Sequence, residues 1–319
     1  MRTKKRRNRA LRRVLRAVRE PLVLGLFAAA DALLPRLSRR RILGLARRIG
    51  ALAARLDRRG RRVAEANLQV LFGRRMNPRR AEILVRGSYR RAAQIGLDSI
   101  WFGRDTRARV AQWTRVEEVC ASEVMTARPA IVVAAHYGNW EMTLLVGGLV
   151  GLPLLAVVKH QWSRQITDRA NRLRSVLGVR LVFADGALRV LLRELRAGGI
   201  AGFVLDQYTA PNEGGVWVDF GGLPATVSNG AALLSRRMSA PVFLGFPHAR
   251  KDGRYDVACS PAMRPGADET DEAFTQRIVN ALLRTIRRHP SQWMLMYPRW
   301  QRIPPGSAGE GFPFYAWRT

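Results

Sequence analysis

Cysteine is scarce in this chain of 319 residues: there are two, Cys120 and Cys259. Two thiols cannot build a disulfide scaffold or a four-cysteine zinc site. Histidine is scarce as well, with four residues (His136, His160, His248 and His289), so a histidine-rich metal centre is not expected and no metal is assigned. No run of about 18 or more apolar residues occurs, which excludes a multi-spanning membrane protein. Lysine is nearly missing, with four of the 55 basic residues, and acidic residues number only 24. The result is an arginine-rich chain of formal net charge +31. Such a chain seeks polyanions: nucleic acid, an anionic membrane face or an acidic partner. Aromatic residues are thin where the charge is densest, since Phe27 is the only one before Phe72. Stacking platforms interleaved with arginine are therefore missing, no nucleic-acid module signature is visible, and nucleic acid is not expected as a partner.

What is present is an ordinary globular composition, 47% hydrophobic and 25% charged, on a chain long enough for one large domain or two small ones. The charge is concentrated at the start. Residues 1–62 carry 21 Lys and Arg against three acids, and Met1–Glu20 alone holds ten of these. Leu22–Leu34 follows, apolar except for Asp31. A signal peptide would need a small-residue cleavage site after an uninterrupted apolar core. A membrane span needs about 20 apolar residues. An interfacial helix fits best, with its apolar side in the acyl boundary and its arginines at the phosphates. A short tilted span, or a solvated basic tail leading into a core helix, are the other readings. The chain is accordingly divided into a basic, membrane-associating helical segment over residues 1–60 and an α/β domain over residues 61–319.

From Arg62 to Gly96 the pattern is helical, with a break at Met76-Asn77-Pro78. Ile83, Leu84, Tyr89 and Ile95 are expected in the core. The period then changes. Ala130–Ala135 is a short apolar run, β-branched in the middle, and predicts a buried strand. Similar runs occur at Leu154–Val158, Arg180–Phe183, Ile200–Leu205 and Pro241–Phe246. Helical segments separate them, at Trp140–Leu149, Ser163–Leu177, Ala187–Arg196 and Val227–Met238. Alternation of this kind predicts an α/β fold, a mainly parallel central sheet flanked by helices and preceded by a helical region. The stretch from Gln292 is aromatic and Pro-rich, and is expected as irregular cover.

In an open α/β sheet, ligands collect beyond the carboxyl ends of the strands. The first strong strand runs directly into His136-Tyr137-Gly138-Asn139-Trp140-Glu141. Gly138 and Asn139 suit the strand-to-helix turn, with Asn139 as helix N-cap. A carboxylate at Glu141 can return across the turn to one imidazole nitrogen of His136 and leave the other as an acceptor, which is what a general base requires. On spacing alone, a hydrogen-bonded core histidine and a dipole-complementing Glu141 account for the pattern equally well. No serine or cysteine occupies a nucleophile elbow. If chemistry occurs, it is direct: His136 deprotonates a hydroxyl that attacks an acyl carbonyl.

The segment His136 to Glu141 resembles the His-x4-Asp/Glu motif of glycerolipid-type acyltransferases. Its Glu form and surroundings resemble the lipid A biosynthesis (late) acyltransferase family. Further blocks agree in order: Ala66-Asn67-Leu68, Arg174 followed by Gly178, Leu205-Asp206-Gln207, Val216 to Thr226, and His289-Pro-Ser-Gln-Trp293, together spanning roughly residues 20–302. Gly221, Ser291 and Tyr297-Pro298 depart from the family pattern; they leave the reaction intact and bear on the acceptor lipid. The resemblance implies a glycerolipid acyltransferase-like fold. The implied activity is transfer of a fatty acyl chain from acyl carrier protein or a coenzyme A thioester to a hydroxyl of a membrane lipid in lipid A and lipopolysaccharide assembly. It implies no cofactor beyond that donor, an anionic membrane surface as partner, and a place at the cytoplasmic face of the bacterial inner membrane. It makes His136 the base and Glu141 its orienting partner. Arg174 binds phosphate or donor in this reading, or is a solvated helix residue. Asp206 holds the Arg174 side or the acceptor headgroup, or simply ends a strand. Gly221, Gly222 and Thr226 are expected in a structural turn, Trp293 and Trp300 as cover, and His160, His248 and His289 as structural. Three alternatives stay open: a lysophospholipid or other glycolipid as acceptor, hydrolysis with water in place of the acceptor, and a non-catalytic basic protein that docks on membranes or nucleic acid.

Overall fold

The computed structural model describes residues 25–73, 76–161 and 163–318. The ten basic residues of Met1–Glu20 and the start of the apolar run lie outside the described residues. Residues 25–33 are helical (α1) and lead through a 3-10 turn at Leu34–Arg36 into α2, Arg39–Leu56. Then come α3, Arg58–Phe72, and α4, Pro78–Trp101. Local chemistry sets these boundaries. The Ser38 hydroxyl accepts from the Arg41 amide at the start of α2, and Asp57 Oδ1 accepts from the Gly60 amide at 2.8 Å to start α3. Asn77 caps α4, with Pro78 in its first turn, so the break expected at residues 76–78 is where the chain turns.

After α5, Thr106–Trp113, comes the α/β region. Its strands are β1 Thr114–Val116, β2 Ala130–Ala134, β3 Leu154–Val158, β4 Arg180–Phe183, β5 Ile200–Val204, β8 Val242–Ala249 and β9 Tyr255–Cys259. They form one sheet in the order β1-β9-β8-β2-β5-β3-β4, parallel throughout except for the antiparallel β8–β9 pair. A second hairpin, β6 Gly215–Asp219 and β7 Pro224–Ser228, lies apart from it, and β10 and β11 are two-residue strands at Arg302–Ile303 and Trp317–Arg318. The intervening helices are α6 Glu118–Thr126, α7 Glu141–Leu149, α8 Arg164–Ser175, α9 Ala187–Arg196, α10 Gly230–Met238 and α11 Asp271–Arg288.

The five strands expected from apolar runs form the heart of the sheet, β8-β2-β5-β3-β4. Of these, β2, β3 and β5 are mostly buried, and strands covered on both faces are apolar throughout; β4 closes the edge of the sheet and opens on the exposed Arg180. The α6–α11 series departs from expectation in three places, the first being α6, which no expected segment covers. Val227 and Ser228 belong to β7 rather than to the helix that follows, and α11 carries its own buried face (Phe274, Ile278, Val279, Leu282, Ile286). Gly221 and Gly222, both at positive φ, make the turn of the β6–β7 hairpin. The expectation for Ile83 is overturned: it is 70% exposed, because the inner side of α4 is formed by Val85, Ser88, Tyr89, Gln94 and Leu97.

The helical region is fastened to the sheet by buried charge. Arg39 of α2 forms a two-pronged ion pair with Asp98 of α4, with Nη2 to Oδ2 at 3.1 Å. The same guanidinium donates to the Gly253 carbonyl in the β8–β9 turn at 2.7 Å. Tyr255 of β9 donates to Asp98 and accepts from Gln94 Nε2 at 2.8 Å. Removing one partner of such a pair leaves a buried charge uncompensated, at a cost of about 3–5 kcal/mol.

Candidate active site

The pairing of β2 with β5 builds the site. Their register sets Ala134 opposite Val204. Two residues further along each chain, beyond the carboxyl ends, His136 meets Asp206. The backbone amide of His136 donates to Asp206 Oδ1 at 3.0 Å, and His136 Nδ1 lies 2.7 Å from the same oxygen. A carboxylate only accepts, so Nδ1 carries the proton and Nε2 holds the lone pair. Gln207, the next residue, donates its amide N–H to that lone pair at 3.3 Å. The His136 side chain is 15% exposed, while Asp206 is fully buried.

Asp206 is held from behind. Trp293 Nε1 donates to its Oδ2 at 2.7 Å, and Arg299 Nη2 donates to the same oxygen at 3.0 Å. Arg299 is itself buried and its guanidinium lies 3.8 Å from the Trp293 ring centroid. Burial alone would push the Asp206 carboxyl up, but His136 and Arg299 beside it, with four hydrogen bonds, hold it well below the usual carboxylate range. The segment bearing Trp293 and Arg299 is clamped by the helical region. Asn67 of α3 donates to the Leu295 and Tyr297 carbonyls, both at 2.8 Å, and Ser88 of α4 donates to the Trp293 carbonyl at 2.6 Å. The helices before the sheet thus fix the imidazole through a relay of three contacts: α3 and α4 hold residues 293–299, those hold Asp206, and Asp206 holds His136.

Glu141 does not orient His136, contrary to the spacing argument. It opens α7, and its carboxylate is taken by Arg174 of α8 in a two-pronged pair, Nε to Oε2 at 2.7 Å and Nη2 to Oε1 at 2.6 Å. Trp140 Nε1 also donates to Glu141 Oε1 at 3.0 Å. The physical reason is reach and order: Asp206 arrives in register beside the strand tip, while Glu141 follows a full turn later and faces α8. Glu141 still acts on the site at one remove, because the Trp140 ring that it holds packs edge-on against the His136 ring at 4.6 Å between centroids. Arg174, expected at phosphate or donor, has two of its three nitrogens committed to Glu141. Asp206, expected at the Arg174 side or the acceptor headgroup, instead pairs with His136 and Arg299.

The turn after His136 leaves no room. Gly138 adopts φ +59°, and a Cβ there would lie 1.6 Å from the Pro247 carbonyl oxygen. Its amide donates to the Gln292 carbonyl at 2.8 Å and the Asn139 amide to Pro247 O at 3.2 Å. Asn139 does not cap α7 with its side chain; it is buried and donates to the Tyr255 hydroxyl at 3.4 Å. We expect Gly138→Ala to cost about 3 kcal/mol or more and to displace His136, because both the backbone conformation and the clash must be relieved. Gly151, also at positive φ but with nothing within 4 Å of its Cβ position, is the control. Gly151→Ala should cost only about 1–2 kcal/mol and leave the site intact. Urea unfolding of both variants checks the difference.

Sequence reasoning missed Arg299 and Gln207 as members of the site, and it took Trp293 for cover. Gln207 stood beside Asp206 in a noted block. Arg299 carries no local pattern: only the fold brings residue 299 to residue 206. Among the described residues no cluster of three or more potential metal ligands occurs. A family model described as bacterial lipid A biosynthesis acyltransferase matches residues 7–302. Comparison with curated proteins gives no match.

Proposed function

Since the chain belongs to the bacterial lipid A biosynthesis acyltransferase family, we propose that it moves a fatty acyl chain from the thioester of acyl carrier protein or coenzyme A to a hydroxyl of a lipid A precursor, with His136 as general base and Asp206 as its orienting carboxylate. The observation that carries this reading is the 2.7 Å contact from His136 Nδ1 to the buried Asp206, which leaves Nε2 as acceptor at the open end of the sheet. The acceptor hydroxyl takes the place of the Gln207 amide at Nε2 and gives up its proton there. Its oxygen attacks the thioester carbonyl, the tetrahedral intermediate collapses, and the C–S bond breaks. The thiolate leaves and recovers the proton from Nε2, so the imidazole ends as it began. Asp206 stabilises the imidazolium between these steps without itself taking the proton. Glu141 and Arg174 lock α7 to α8 and keep Trp140 against the imidazole.

Incubation of the purified protein with labelled acyl donor, with and without an extracted lipid A precursor, tests this. Acceptor-dependent appearance of acylated lipid supports transfer. Release of free fatty acid alone would mean hydrolysis, and no turnover of either kind would leave a binding protein.

Membrane association belongs to the same proposal. Among the described residues no helix is long and apolar enough to cross a membrane. On α2, however, Ile49, Leu52 and Leu56 form one exposed row, at 41%, 57% and 70%. Arg41, Arg48 and Arg55, spaced by seven, run alongside it. This face fits the cytoplasmic leaflet of the inner membrane, with leucines among the acyl chains and arginines at anionic headgroups. Carrier protein and coenzyme A thioesters are cytoplasmic, which agrees with that side. The variant Leu52→Asp/Leu56→Asp should lower partition into phosphatidylglycerol-containing vesicles by about tenfold or more, and the loss should persist at high salt, because the deleted contribution is apolar. Unchanged co-sedimentation would remove α2 from the docking face.

A further inference from the structure

A cleft separate from His136 lies between α1, the α4–α5 turn and α8. Its volume is about 650 Å³, and four arginines line it: Arg36, Arg104, Arg169 and Arg172. One acid, Asp31, offsets them, and it is already paired with Arg169. Arg172 forms no ion pair among the described residues, and Arg104 has only the exposed Asp105, at 3.4 Å. The remaining lining is largely apolar and includes Pro35, Ile100, Leu173 and Val176, the last 53% exposed. We propose that this cleft binds the phosphate ester of an acyl-bearing anionic lipid, with the phosphate on Arg104 and Arg172 and the first methylenes on Leu173 and Val176.

The amphipathic lining selects this ligand class. Guanidinium groups on three separate segments converge on one space, which suits a phosphate with several acceptor oxygens. Charge alone would serve any anion, but the apolar side of the cleft discriminates. Leu173 and Val176 share the face of α8 that carries Arg169 and Arg172, so one helix presents cation and hydrocarbon together. The adjoining α1 continues the theme. It leans on α8 through Asp31 and Phe27, over whose ring the Arg169 guanidinium lies at 5.6 Å. It turns Leu26 and Leu33, each 63% exposed and seven residues apart, to the outside. The volume falls in the range of small-molecule sites and accommodates a headgroup with its glycerol. Arg174, on the opposite side of α8 from this face, reaches Glu141, so the cleft and the Glu141 pair lie on two sides of one helix.

Calorimetric titration of the full-length protein with dihexanoylphosphatidylglycerol below its micelle concentration, with glycerol 3-phosphate and with inorganic phosphate tests the assignment. The lipid should bind saturably and at least about tenfold more tightly than glycerol 3-phosphate, because only the lipid reaches the apolar side. Arg104→Glu/Arg172→Glu should weaken lipid and glycerol 3-phosphate by about tenfold or more. Arg284→Glu/Arg288→Glu on α11, which changes the net charge equally, should leave both in place. Val176→Asn should weaken the lipid and spare glycerol 3-phosphate. Lipid binding that survives Arg104→Glu/Arg172→Glu, or that falls equally in the α11 variant, overturns the site. Equal affinity for lipid and inorganic phosphate, with no effect of Val176→Asn, overturns the lipid as its ligand. His136→Ala should bind as the unaltered protein does, so failure of the acyl-transfer reading would be recognised separately.

Discussion

His136→Ala is expected to lower the rate of acyl transfer by about 10²–10⁴-fold, the span over which a positioned base contributes. The folded state should survive. The side chain is partly exposed and sits at the strand tip, outside the main core clusters. Asp206 keeps three of its four donors: the His136 backbone amide, Trp293 and Arg299. The ion pair that compensates Arg299 is therefore untouched. Single-turnover assays with labelled acyl donor, on protein whose thermal unfolding is checked first, measure the effect. Added imidazole should recover part of the rate, because the deletion opens a space bordered by Trp140 and Gln207 into which a free base can enter. A variant with near-normal turnover would remove His136 from the chemistry and leave it a structural histidine.

The fold was legible in the sequence where one physical signal dominated. Five apolar runs gave five adjacent strands, the inner ones because a strand covered on both faces has nothing polar to interrupt it. The strands at the other edge, β1 and β9, were missed for the opposite reason. Thr114–Val116 is three residues long, and Tyr255–Cys259 carries Asp256 among its apolar positions. Neither has a pattern that survives without its neighbour. Helix α11 was not singled out although its buried face is regular, since six arginines and acids share its 18 residues and mask the stripe. In the site, His136 was found because strand end, glycine turn and helix start are consecutive in the chain. Its partner was sought nearby for the same reason, and that is where the inference failed. Glu141 is near in sequence, whereas Asp206 is near through strand register, and register is a tertiary property. Trp293, Arg299 and the Asn67 clamp share this character: each is ordinary locally and acquires a role only when the sheet forms.

Asp206→Asn should be as damaging as loss of the base, and Glu141→Gln much less so. Asparagine must place its NH2 group on one side of the former carboxylate. Facing Trp293 and Arg299, that group would meet two donors, one of them a buried cation. Facing His136, it meets one backbone N–H but can donate to Nδ1. The second placement is the less costly one, and it reverses the imidazole: Nδ1 becomes the acceptor, Nε2 carries the proton, and no lone pair faces the acceptor hydroxyl. The imidazolium also loses its counter-charge. A fall of about 10²–10⁴-fold in kcat is expected, with about 3 kcal/mol or more of lost stability from the uncompensated Arg299. Glu141→Gln keeps an oxygen for Arg174 and lies one residue removed from the ring, so its effect should be roughly tenfold or less, carried by a looser Trp140. Nitrogen-15 NMR of the imidazole separates mechanism from mere unfolding. The Asp206→Asn protein, if folded, should show the proton moved from Nδ1 to Nε2, and the Glu141→Gln protein should retain it on Nδ1. A silent Asp206→Asn beside an inactive Glu141→Gln would return the orienting role to Glu141 and would mean that the ring turns toward α7 when substrate binds.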